Sequence, residues 1–498
     1  MVKRWLVLLF VLAALGGCGS RPSEAIHFAL STAPVSLDPR MASDATSERI
    51  NRLLYARLVD FDEQARPVAS LADWQRLSPR HYRVRLGDRD RLFHNGEQLA
   101  ADDVAATYRS ILDPGSASPH RAVLEIIERI EVMDGDTVDF HLRRPDPLFP
   151  GYLTIGIVPA EVIAAGQALN RRPLGSGPMR LVSWREGGAL VLERRTDGQR
   201  VVFEPVRDPT MRALKLVRGE VDILQNDLPP ELLQWLRGQS GIRVVTRPGN
   251  NFAYLGFHLE DPDTGKPEVR RAIDLALDRP AIIDYLFRGA ARPAASVLPP
   301  EHWAGARQLK PRERDLAKAR ELLASAGYST LHPLRLSYKT SNDPFRIRIA
   351  SIVQQQLAEA GIRVDVESYD WGTFFGDIKN GRFQMYSLAW IGVKSPDIFR
   401  YAFHSASLPP GGANRGRLQD TRVDWLIEAA MAAEDLDTQA DWYRQLQEHL
   451  DEQLPYVPLW YEDQFYAAGA AIEGYTLAVD GNYDALVRTF KSPSRQLR

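Results

Sequence analysis

The sequence predicts an α/β protein built from lobes, not a helical bundle or a β-sandwich. Three observations carry that expectation. Segments of period-two alternation and segments of helical periodicity follow one another along the whole chain. The breaks between them carry turn and cap chemistry, as at Asn95-Gly96, Gly327 and Gly361. The 498 residues are 44% hydrophobic and 25% charged, an ordinary globular balance with enough material for a large core and for two to four domains.

In chain order, residues 26–31 read as a strand and 33–39 as a loop holding two prolines. Residues 47–58 read as a helix with Ile50, Leu53, Leu54 and Leu58 on one face. Strand 82–86 leads through the Asn95-Gly96 turn to a helix over 102–112, stopped near Pro114. Strands follow at 137–142 and 189–194, with the glycine-rich loop 173–178 between them. Helix 211–217 turns at Gly219 into a strand, and 252–258 is an apolar strand. Pro267 starts a helix continued by 269–277, which Asp278-Arg279-Pro280 breaks while capping the next, 281–287. Helix 315–326 and strand 334–338 come next, then helix 346–360, strand 363–366 and strand 383–389. Helices over about 423–434 and 438–452 precede a short strand, 455–460.

The first residues read as a targeting segment. Lys3 and Arg4 precede an apolar run, 5–15, which is too short for a membrane span of about 20 residues. Leu15-Gly16-Gly17-Cys18 looks like a bacterial lipobox, whose cysteine is acylated and becomes the new first residue. Residues 1–17 are therefore expected to be a signal peptide, Cys18 the lipidation site and 18–25 a tether; the plainer reading is a signal peptide that happens to contain cysteine. Cys18 is the only cysteine, so no internal disulfide and no thiolate metal site is expected. Removing Lys3 and Arg4 takes the formal charge from −2 to −4, which offers no basic field for nucleic acid.

An ordered series of short motifs resembles the family 5 extracellular solute-binding proteins, the group of oligopeptide-, dipeptide- and nickel-binding proteins. It runs from about residue 26 to 465. The most recognisable stretch is Phe93-His94-Asn95-Gly96, followed by Ala100-Ala101-Asp102-Asp103-Val104. Ala100 stands where the family usually has a capping threonine. The loop Pro173-Leu174-Gly175-Ser176-Gly177-Pro178 is similar to the family's Pro-x-Gly-Thr-Gly-Pro. Val269-Arg270-Arg271-Ala272-Ile273 with Asp278-Arg279, then Ala326-Gly327-Tyr328 and Trp390, continue the series. The resemblance implies a type II periplasmic-binding-protein fold of the cluster C kind: two lobes, a hinge of two crossing strands and an extra small domain. On that pattern the first lobe takes 26–50, 170–258 and 468–498, the extra domain 51–169, and the second lobe 259–467.

The same resemblance implies the substrate-binding lipoprotein of an ABC importer. It would be anchored outside the cytoplasmic membrane, act as a monomer with permease subunits as partners, and bind a peptide or peptide-like solute. Nickel chelates, haem, oligosaccharides and opines are alternative ligands, and a sensory receptor is an alternative role. In peptide-binding relatives an aspartate shortly after the tryptophan holds the peptide amino group. Here the run is Trp390-Ile391-Gly392-Val393-Lys394-Ser395-Pro396-Asp397, and Val393 takes that place. Asp397 either substitutes from a displaced position or belongs to the family's Asp-Pro element. Trp390 stands in the cleft lining or among core aromatics; Tyr369 and Trp371 stand at a strand end near the cleft or in strand packing. Lys339 falls near where a dipeptide-binding relative has a carboxylate-holding arginine, and Lys394 either meets an anionic ligand group or is solvated. No cofactor is expected. No metal is expected either, since the ten histidines show no ligand spacing. Neither Gly-x-Ser-x-Gly nor Ser-x-x-Lys occurs as an enzyme signal, and Gly175-Ser176-Gly177 lacks the Gly-Lys ending of a phosphate loop.

Overall fold

The structure, a computed structural model, describes residues 25–88, 90–185 and 187–492; Cys18 and the segment before it lie outside that range. One eleven-stranded sheet runs through the molecule. Its centre is an antiparallel pair of long strands, Ile242–Phe257 and Tyr456–Gly469. On one side lie Met385–Trp390, Arg335–Ser341 and Arg363–Tyr369. On the other lie Ile223–Gln225, Ile26–Leu30, Arg200–Pro205, Leu190–Arg194 and Met179–Trp184, and the eleventh strand, Ala291–Pro293, pairs with Tyr456–Gly469 off this path.

Each long strand changes cores part-way along. Ala253, Leu255 and Phe257 pack with Val457, Leu459 and Trp460 under the helices Pro267–Ala276 and Pro344–Glu359. The alternate residues Phe252 and Tyr254 pack with Tyr456 and Tyr461 under Thr421–Met431 and Leu436–Gln453. A period-two strand covered by helices on both faces must be apolar on both. Beyond the change, Tyr466 and Ala468 join Ile26, Phe28 and Phe203, while Phe465 and Ala467 join a core with Leu224 and Leu236. Between the two regions the register slips between Arg247 and Asn251. Pro248 has no N–H to give the ladder. A Cβ on Gly249 would stand 2.4 Å from the Glu462 carbonyl oxygen, so only glycine fits this close approach.

A second, four-stranded antiparallel sheet has the order Ala72–Ser78, His81–Leu86, Thr137–Leu142, Ile127–Val132. With the helix Ala101–Leu112 it encloses its own core, including Val84, Val104, Tyr108 and Phe140. Ala100 gives that helix no side-chain cap. Asp103 reaches back instead, accepting from the Ala100 amide at 2.8 Å and from the Ala160 amide at 2.7 Å.

Several elements differ from the sequence reading. The strands expected at 252–258 and 455–460 extend to 16 and 14 residues. Pro248-Gly249 mimicked a turn, and the polar run Glu462-Asp463-Gln464 hid the rest of the partner. The helix expected over 47–58 is Ala45–Leu54, because Tyr55 is extended (φ −126°) and Leu58 joins the smaller core. The segment 281–287 is not one regular helix: Arg279–Ile282 passes into a π-turn, Ile283–Phe287, ended by Arg288 at φ 52°. Asp278 caps it as expected, accepting from the Ala281 amide at 3.0 Å.

Candidate functional site

The helix Ala45–Leu54 carries Ile50, Leu53 and Leu54 into the core that holds Ile26 and Phe28 and turns Glu48, Asn51 and Arg52 the other way. They form one wall of a cavity of about 400 Å³. Pro39, Arg57 and Phe61 extend the wall, His120 and 154–156 close another side, and Gly392, Lys394 and Ser395 face them from beyond the crossing strands. A larger depression, about 590 Å³, is lined by Leu275 and 312–316.

The 392–395 loop is held from below. Gly392 at φ 62° donates its amide to Asn251 Oδ1 at 2.9 Å, and Asn250 Nδ2 donates to the Val393 carbonyl at 2.8 Å. His302 Nε2 lies 2.9 Å from the Lys394 carbonyl; burial pushes this histidine down to about 4, so the ring is neutral and donates. These contacts drive the Val393 side chain into the core and leave the Lys394 side chain in the cleft.

Lys394 Nζ reaches across to Asp480 at 2.6 Å. Burial alone would raise the Asp480 carboxyl, but Lys394 and Arg52 outweigh it and hold Asp480 well below the usual carboxylate range. Arg52 joins Asp60 at 3.0 Å and also meets Asp484, while Arg57 meets Asp60 at 2.8 Å. Among the described residues, Asn51 Oδ1 and Arg57 Nε and Nη1 are buried without hydrogen-bond partners.

The other expected residues are placed as follows. Asp397 is not at the cavity: it precedes the helix Ile398–Phe403, and its Oδ2 lies 2.7 Å from the Tyr152 hydroxyl, which also lies 2.9 Å from Asp146 Oδ2. One hydroxyl has one proton, so both contacts are hydrogen bonds only if one carboxyl is protonated. Burial and the neighbouring Asp397 push Asp146 up to about 7, and burial raises Asp397 too. Trp390 ends its strand stacked near Tyr254, with the Arg415 guanidinium 4.9 Å from its ring. Trp371 is exposed and stacks on Phe375 at 5.2 Å. It follows Asp370, which caps the helix Trp371–Lys379, and lines a second cavity of about 220 Å³ with Ile391 and Ser341. Lys339 is committed to Asp377 at 2.7 Å and lies over the Tyr369 ring; neither Lys339 nor Tyr369 lines a cavity described above.

Sequence reasoning missed Glu48, Asn51, Arg52, Arg57, His120 and Asp480. The spacing of Glu48, Asn51 and Arg52, opposite the apolar face, was the available signal. It also missed a cluster that strand pairing creates: His81, Asp139 and His141 offer ligand atoms within 4.8 Å of one another. Arg83 already occupies both Asp139 oxygens at 2.8 Å. The loop 173–178 behaves as a close connection. A Cβ on Gly175 would stand 2.1 Å from the Leu54 carbonyl oxygen, and Gly177 donates its amide to that oxygen at 2.8 Å.

With this geometry in view, comparison with known proteins places the chain. Residues 79–408 match the family model for bacterial extracellular solute-binding proteins, family 5. The chain belongs to that family. A dipeptide-binding protein of Pseudomonas aeruginosa is 25% identical over 519 residues, covering 96% of each chain. Heme-binding protein A of Haemophilus influenzae is 26% identical over 510 residues, covering 94% of this chain and 92% of its own. The crystal structure of the ABC transporter substrate-binding protein CtaP of Listeria monocytogenes superposes with a TM-score of 0.85 at 24% identity, over 95% of this chain and 100% of that one.

Proposed function

We propose that the chain is the solute receptor of an ABC importer, that it captures a peptide-sized solute between its lobes, and that a lipid on Cys18 tethers it outside the cytoplasmic membrane. The observation that carries the reading is the cavity itself: its walls come from both sides of the crossing strands, and Lys394 and Asp480 join those sides at 2.6 Å. Such a cavity exists only when the lobes are together, so a solute that contacts both walls favours closure. The register slip at 247–251 and the facing segment 462–464 are where the hinge is proposed, with one lobe on each side and the four-stranded unit moving with the first. Buried polar atoms beside the cavity, on Asn51 and Arg57, that have no partner among the described residues fit a polar ligand. The peptide preference rests on relatives named for peptides, among them the dipeptide-binding protein of P. aeruginosa.

Thermal melting of the purified protein against di- to pentapeptides, N-acetylated peptides, nickel-histidine, haem and oligosaccharides tests the reading. A solute at a hundredfold excess over its dissociation constant stabilises the folded form by about 2.7 kcal/mol. The expected result is a shift with short peptides. A shift with haem or nickel-histidine alone would keep a receptor and overturn the peptide assignment.

A further inference from the structure

Beside the cleft lies the smaller cavity, about 220 Å³, with a different chemistry. The strands Arg335–Ser341 and Met385–Trp390 and the helices Pro344–Glu359 and Trp371–Lys379 wall it, and Leu459 and Trp460 of a crossing strand floor it. Exposure grades from one end to the other. Phe374, Leu459 and Trp460 are at most 1% exposed, whereas Trp371 is 58% and Ile391 62% exposed. Two large apolar side chains left open beside a cavity mark a binding surface. Among the described residues Arg346 is the one charged group in the lining, and Glu462 stands 3.5 Å from it. The cavity of about 400 Å³ is lined instead by charged side chains, Glu48, Arg52, Arg57 and Lys394. The two cavities meet along the chain at Ile391, which lines the apolar one, and Gly392, which lines the charged one.

We infer that the smaller cavity seats one large apolar side chain of the solute, aliphatic or aromatic, while the polar remainder of the solute lies in the charged cavity. The inference rests on the cleft being the solute site and deepens that reading by naming the substrate class: short peptides that carry a leucine-like or phenylalanine-like residue. At about 220 Å³ the space is below the ~300–1,000 Å³ of a pocket for a whole drug-sized ligand, so it takes one group and not the entire solute. An apolar occupant leaves water together with the open faces of Trp371 and Ile391, which is favourable in proportion to the apolar area removed. A charged side chain would enter a space with no free counter-charge and is disfavoured. Trp460 gives a second mark of an occupant, since its indole Nε1 is buried without a partner among the described residues.

The test uses the full chain, wild-type, Ala389→Phe and Trp371→Ala, titrated calorimetrically with trialanine and with tripeptides that carry leucine, phenylalanine or lysine at one position and alanine at the others. At the position that reaches the cavity, leucine or phenylalanine should bind the wild-type protein at least ~10-fold more tightly than alanine, and lysine should not. Ala389→Phe fills the cavity and Trp371→Ala removes one of the two side chains at its mouth, so each should cut that ratio to below ~3-fold. Trp371 is exposed, so its variant gives an answer even if the filled one does not fold. Equal affinity for trialanine and for the leucine and phenylalanine forms, or a ratio that Trp371→Ala leaves unchanged, overturns the assignment and leaves the cleft as a peptide site. Failure of every tripeptide to bind the wild-type protein overturns the peptide reading itself, and the assignment falls with it.

Discussion

Lys394 joins the two walls of the cavity, and its partner Asp480 is the more deeply placed of the two. Lys394→Gln therefore leaves a carboxylate without its main counter-charge only when the lobes are closed. Because Lys394 keeps about a third of its side chain exposed, the expected cost is about 1–2 kcal/mol, or roughly 5–30-fold in solute affinity. Asp480→Asn should cost a similar amount. The double variant should cost less than the sum of the two, and a calorimetric double-mutant cycle measures that coupling. Arg279 is a stronger case of the same physics, acting on stability and not on binding. Both Arg279 and Asp274 are 1% exposed, and Arg279 also donates to the Pro458 carbonyl at 2.7 Å. Arg279→Ala leaves the buried Asp274 without its Oδ1 partner, while Arg312 at 3.0 Å and Arg271 at 3.9 Å stay on Oδ2. A loss of about 3–5 kcal/mol in denaturant unfolding is expected.

The loop 173–178 and the helix Ala45–Leu54 form one unit, since the helix stops where the glycines press against it. Gly175→Ala forces the Leu54 carbonyl aside and should destabilise the fold by at least ~2 kcal/mol in equilibrium unfolding, with little direct effect on ligand chemistry. The segment bearing Asp146 and Tyr152 meets the helix Ile398–Phe403 through two carboxyls and one hydroxyl. Arg144, Arg400 and Tyr443 also face this group, and Ser395 bonds to Asp397. Both acids are raised above their ordinary values, so the folded form keeps a proton that the unfolded chain releases near pH 4. This contribution to stability is full at low pH and is lost as pH rises from about 4 to about 7. Asp397→Asn should flatten that slope in melts recorded across the window, whereas an unchanged slope would assign it to other groups.

Across the molecule, the alternation of elements and the ordered motifs were legible in the sequence because they are local. Asp278 as a cap, the strand 137–142 and the paired helices near 423–452 are each written in consecutive residues. The two crossing strands were legible only in part, since Pro248-Gly249 has turn chemistry and only pairing with Glu462 shows that it is a slip within a strand. The site was less legible. Glu48 and Lys394 stand 346 positions apart in the chain, and Asp480 meets Lys394 only through the fold. Of the residues expected at the site, Lys394 lines the cavity between the two walls and Trp371 lines the smaller one. Lys339 and Asp397 looked free in one dimension and proved to be paired with Asp377 and Tyr152.

Small-angle X-ray scattering of the protein with and without a saturating solute tests the account of a cavity closed between moving lobes most directly. The radius of gyration should fall when solute binds, and Lys394→Gln should shift the transition to higher solute concentration. One-to-one binding with unchanged scattering and no effect of Lys394→Gln would contradict it.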